Sequence, residues 1–211
     1  MNESVLVSSH RIDEVEWLAH RLRSFGSALA AVVPDGFPAY VRIPHAGSEP
    51  GNLPASLLSI LSAYLAGHTT SPHACWFCLW DGYGWLHDEG SRATIEFTNP
   101  SAESAIAAGH EAPSPSHLLR LAALHAPRVH LPSRDYLLFQ GPLHAAGEFG
   151  WNLSATHFIP QSPNLFWPDD HAWCVASEID LDYTLVAGSA GLAEALLADP
   201  HLKALPVPRE S

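Results

Sequence analysis

The chain has 211 residues, 47% of them hydrophobic, and carries 22 acidic against 10 basic side chains for a net charge of −12. That balance excludes a nucleic-acid binder, because phosphate backbones are held by clusters of Lys and Arg and none occurs here. The apolar content suffices for one core-forming domain without disulfides, and the negative charge favours basic partners.

The opening MNESVLVSSHRIDEVEW has neither a basic start nor an apolar core, so no secretory signal is expected. No apolar run approaches the roughly 20 residues of a spanning helix, which argues against a membrane protein. Three cysteines without an export signal point to a reduced, cytoplasmic chain. Asn152, Leu153 and Ser154 match a glycosylation acceptor, which carries no weight without secretion. One lysine against nine arginines, amid many Ala and Pro, reads as the bias of a GC-rich coding sequence. Fourteen histidines are scattered and form no tract.

In chain order, Val15, Leu18, Leu22, Phe25, Leu29 and Val32 recur at spacings of three and four, which predicts a helix over about 12–33, stopped at Pro34, Asp35 and Gly36. AYVRI (39–43) reads as a strand. Residues 54–66 read as a helix with Pro54 in its first turn and Leu57, Leu58, Leu61, Tyr64 and Leu65 inward. Residues 74–79 read as a strand, DGYG (81–84) as a turn and 85–87 as its hairpin return. ATIEF (93–97) is a further strand, and 101–108 and 116–125 are helices separated by the breaker EAPSP. DYLLF (135–139) is a strand, 142–149 a short helix or turn, and 150–170 irregular. Residues 173–179 and 183–187 form a hairpin, 189–198 a helix, and 200–211 a Pro-rich tail. Strands and helices mix without strict βαβ alternation, which predicts one α+β domain over 1–211, its mostly antiparallel sheet of about five to seven strands covered by helices.

The stretch CWFCLWDGYGW (75–85) holds a C-x-x-C pair and a concentration of aromatics. Zinc knuckles and thioredoxin-like motifs need a tight turn or a helix start, whereas Trp76 and Phe77 continue a strand. On a strand, positions 75 and 78 face opposite sides and cannot chelate one ion, so the cysteines read as buried thiols. Trp76, Cys78 and Trp80 share one face and Cys75, Phe77 and Leu79 the other, the mark of a strand covered on both sides. Trp80, Asp81, Tyr83 and Trp85 then lie at the strand end, either as core or as an aromatic binding surface beside an acid.

The second constellation is WPDDHAWCVASEIDLDY (167–183). If the strand continues, Glu178, Asp180 and Asp182 share one face at spacings of two. Converging with Asp169, Asp170 or His171, they could hold a hard cation or do general acid–base work. They could equally be a solvated hairpin face, or an acidic patch docking a basic partner. TLVAGSAGLA (184–193) reads as a strand, a turn capped by Ser189 and a helix start. It has only two glycines and lacks the lysine and glycine pattern of nucleotide loops. No G-x-S-x-G, H-E-x-x-H or catalytic-cysteine signature occurs.

CWFCLWDGYG (75–84), LPSRDY (131–136) with Gly141 and Pro142, and SPNLFWPDDHAWCVASEID (162–180) together resemble a family of uncharacterised actinobacterial proteins, over most of residues 37–200. That resemblance implies no activity. The acidic α+β layout is also similar, in class and charge alone, to small immunity proteins of the SUKH type that neutralise toxins. The expected function is a non-catalytic cytoplasmic binder of a protein partner, a basic one complementing the charge, with no cofactor and no metal. The alternative is a metal-dependent enzyme or ligand-binding protein using carboxylates and His of 169–182.

Overall fold

The computed structural model describes residues 6–22, 32–45, 47, 49–87, 115–132, 134–154 and 156–208. The expected strand at 93–97, the helix at 101–108, most of EAPSP and residues 23–31 of the first helix lie outside them.

The fold is α+β, built on a nine-stranded sheet whose strand pairs are all antiparallel. The strands are β1 (Val7–Ser8), β2 (Ala39–Pro44), β3 (Cys75–Trp80), β4 (Arg128–His130), β5 (Asp135–Gly141), β8 (Leu165–Pro168), β9 (Cys174–Ala176), β10 (Tyr183–Gly188) and β11 (Leu205–Pro206). Their spatial order is β1-β5-β3-β8-β9-β10-β2-β11, with β4 also on β5. A separate hairpin joins β6 (Gly150–Ser154) to β7 (His157–Pro160). The sheet thus has more strands than the sequence suggests. The extra ones are two to four residues long, too short to carry a period.

β3 pairs with β5 on one side and β8 on the other, and Cys75 through Leu79 are fully buried. Its alternation divides two cores. Cys75, Phe77 and Leu79 join the core under α2 (Ala55–Ala66), α4 (Pro115–His125) and α5 (Ala190–Ala198). Trp76 and Cys78 join the opposite core, which Val15, Leu18, Val33, Phe37 and Tyr40 cover. Each wholly buried tryptophan (Trp76, Trp167 and Trp173) hides roughly 200 Å² of ring, on the order of 5 kcal/mol of transfer free energy. Trp173 also donates its indole N–H to Leu65 O at 3.0 Å, tying α2 to the sheet.

α2 and α5 stand where the apolar periodicity puts them. Leu58, Leu61 and Leu65 point inward, and Ser189 caps α5 by accepting from Leu192 N. The first helix is a correction. Within 12–33, only Ile12–Val15 (3-10) and α1 (Glu16–Ala19) are helical among the described residues. Asp35 N donates to Arg21 O at 3.1 Å, so the chain doubles back. A continuous helix over 12–33 would run about 33 Å and hold those groups apart.

Three further expectations change. Residues 84–87 form α3, a single helical turn, because both edges of β3 are already taken. The irregular stretch 150–170 contains the β6–β7 hairpin and β8, a central strand buried along its whole length. Finally, Leu205–Pro206 of the tail pairs with β2 and covers that edge of the sheet.

Candidate functional site

The strand registers sort the candidate residues into two places. β3 and β9 finish, and β5, β8 and β10 begin, at one end of the sheet. Trp80, Asp81, Tyr83, Trp85, Glu178, Asp180 and Asp182 all lie there. Asp169, Asp170 and His171 follow β8 at the other end, beside Cys75. The length of a strand separates the groups, about 10–17 Å. The convergence that a metal site or acid–base pair would need between them is not formed. Among the described residues, no group of three or more His, Cys, Asp and Glu is arranged to hold a metal ion.

The alternating acidic face is also corrected. β9 ends at Ala176: Ser177 N to Asn164 O, at 2.7 Å, is the last bond of its ladder with β8, and Asn164 N goes to Cys78 O instead of returning to Ser177. Glu178, Asp180 and Asp182 therefore stand on a loop. Leu181 O accepts from Gly51 N and Asp182 O from His45 N. Gly51 has φ +73°, and the Ile179 backbone occupies the space a Cβ would need, so only glycine lets the loops meet.

Arg134, in the loop before β5, organises this end. Its Nε donates to Glu178 Oε1 at 2.8 Å and its Nη2 to Asp180 Oδ2 at 2.6 Å, while the guanidinium lies 5.4 Å from the centre of the Trp80 ring. The Glu178 side chain is 9% exposed and that of Asp180 67%. Arg128 does the same for Asp81, with Nε 2.9 Å from Oδ2, and also donates to Ala123 O and Ala126 O at the end of α4.

The aromatic turn is half buried. Trp80 meets Tyr83 edge-on, Tyr83 stacks on Trp85, and Trp85 stacks on Trp151 of the hairpin at 5.2 Å. Tyr83 Oη accepts from both Gln161 Nε2 and Asn164 Nδ2 at 3.0 Å. Burial pushes the Tyr83 hydroxyl up to about 12. Asn164 also accepts from Trp80 N at 2.8 Å and donates to Ser177 O, locking β3 to the acidic loop. Gly82 lies against the Trp80 indole, where a side chain would collide.

No protein-family model, no curated protein and no solved structure matches the chain.

At the far end, Asp170 is a staple. It accepts from Thr69 Oγ1, Thr70 Oγ1 and Thr70 N at 2.7 Å each, and from Ala172 N at 3.1 Å. Partial burial opposes its ionisation, but the bonds from Thr70, Thr69 and Ala172 outweigh it and bring the carboxyl down to about 2. Asp169 accepts from the buried Trp76 indole at 3.2 Å. His171, at φ +53°, stacks on Trp17 at 4.2 Å, and burial lowers its pKa.

All three thiols are buried and free. Burial pushes Cys75 up to about 12, Asp170 and Asp169 adding to it, and raises Cys78 and Cys174 further. They are not nucleophiles poised for chemistry.

Sequence reasoning missed Arg134, Asn164 and Gln161. Each sits in a short Pro-containing loop before or after an apolar strand, the one available signal. Nothing local marks them, because Glu178, Trp80 and Tyr83, the side chains and strand end they hold, lie more than forty residues away.

Proposed function

We propose that the chain is a non-catalytic, cytoplasmic binding protein that receives a basic protein partner at the Trp80 end of its sheet. The observation that carries this reading is the gathering there of Asp81, Asp135, Glu178, Asp180 and Asp182 from separate segments of the chain. Two nearby arginines are already committed: Arg128 to Asp81, and Arg134 to Glu178 and Asp180. Asp180 and Asp182 remain exposed and face solvent. A charged rim of this kind steers encounter and sets salt dependence.

Three features favour docking over catalysis. Glu178 and Asp81 are held in ion pairs, Tyr83 is bonded by two amides and raised by burial, and the thiols lie inside the sheet.

An octa-arginine peptide serves as the probe. Replacing Asp180 and Asp182 together by Asn should weaken its binding about three- to tenfold at low salt and flatten the salt dependence, at 0.2–1 kcal/mol per exposed charge. Glu194→Gln, on α5 away from this end, should change binding less than twofold. Equal effects of the two changes would overturn the assignment.

A further inference from the structure

A cleft of about 460 Å³ runs along the outer face of α2, between that helix and the 3-10 turn Leu143–Glu148. Ala55, Ser59, Ser62, Ala63 and Ala66 form one wall along α2, all exposed except the half-buried Ser62. These side chains are too small to fill the space above them, and Leu58, Leu143 and Phe149 line its depth. The volume lies in the range of small-molecule sites, which are mostly apolar with a few placed polar groups.

Its chemistry differs from that of the rest of the surface. The chain has 22 carboxylates, yet no Asp, Glu, Lys or Arg lines this cleft. The polar side chains there are neutral serines, Gln161, and His73 and His144 at exposed positions. A cation would meet no carboxylate there and an anion no Lys or Arg, so a charged ligand would lose hydration with little compensation.

Gln161 supplies the specific contact. Its residue is 7% exposed, and its Nε2 faces Gly51 O at 3.2 Å, Ser162 O at 3.2 Å and Tyr83 Oη at 3.0 Å. Two of those acceptors are carbonyls that can only accept, which fixes which end of the amide is nitrogen. The other end, Oε1, receives no hydrogen bond among the described residues. Gln161 lines the cleft, which makes that unbonded carbonyl the candidate acceptor for an occupant.

We infer that the α2 cleft is a binding site for a neutral, largely apolar small molecule carrying one N–H or O–H donor, with Gln161 Oε1 as its acceptor. This site adjoins the acidic end only through Gln161, whose amide bonds Tyr83 and Gly51, and the proposal does not rest on the charge of the chain.

Indole is the probe: planar, neutral, apolar and with a single N–H. Calorimetry or ligand-observed NMR on the full chain should show saturable 1:1 binding. 1-Methylindole, which lacks the donor, should bind about fivefold or more weaker, the worth of one hydrogen bond. Indole-3-acetate and tryptamine, which add either charge, should also be weaker. Ala63→Trp places a ring in the cleft from an exposed helix position and should abolish binding while leaving the unfolding midpoint within a few degrees of the parent. Ser62→Trp is a second blocking change, for use if the first unfolds the chain. The inference is overturned if indole shows no saturable binding, if 1-methylindole binds equally well, if a charged analogue binds best, or if a folded blocking variant still binds.

Discussion

Arg134 reaches from the loop before β5 to Glu178, placing its Nε 2.8 Å from Oε1, and the two side chains are 18% and 9% exposed. The pair closes the sheet end on which the binding reading depends. Arg134→Met would leave the Glu178 carboxylate enclosed without its partner. The expected loss is about 2–4 kcal/mol, because breaking a buried pair from one side leaves an uncompensated charge. Adding Glu178→Gln should restore part of it, so the double variant is more stable than Arg134→Met alone. Urea unfolding of the three proteins measures this. A loss below about 0.5 kcal/mol for the single change would show that the pair does not hold the loop.

Asp170 ties the turn after β8 to Thr69 and Thr70. Its carboxyl is lowered from 3.8 to about 2, so the folded state binds its proton more weakly than the unfolded chain does. The resulting stability is present above about pH 4 and is lost as the pH falls towards 2. Asp170 is exposed, so solvent screening reduces the contribution to about 1 kcal/mol. Asp170→Asn should destabilise the protein by that amount at pH 6 and by much less at pH 2. A difference that grows on acidification would contradict the assigned bonds.

Cys75, Cys78 and Cys174 lie inside the sheet with raised pKa values. A thiol reagent such as dithionitrobenzoate should label none of them in the native protein at pH 8 within minutes, and all three in guanidinium. Reaction of one thiol in the native state at a free-cysteine rate would place it at the surface.

How much of this was legible beforehand differs between elements. The two-faced character of CWFCLW follows from strand parity alone, and the structure divides Cys75 and Cys78 between separate cores. α2 and α5 were legible because Leu58, Leu61, Leu65, Leu192 and Leu196 repeat at helical spacing. The long first helix was not, because a stripe of apolar residues carries no sign of where the chain turns back. Only the bond from Asp35 N to Arg21 O shows that. The acidic loop was misread as a strand face, since alternation of Glu178, Asp180 and Asp182 mimics period two. The pairing with β8 runs out first: its last bond is Ser177 N to Asn164 O, and Asn164 N is taken by Cys78 O of β3. Arg134 shows the limit most clearly: its partners Glu178 and Asp180 lie more than forty residues away.

A basic partner should dock at the acidic end of the sheet. Backbone amide shifts of the isotope-labelled chain, titrated with octa-arginine at low salt, test it most directly. The largest shifts should fall on residues 177–182 and 134–136 and collapse at about 0.5 M salt. Largest shifts on Asp13–Glu16 or Glu194, or shifts that persist in salt, would contradict it.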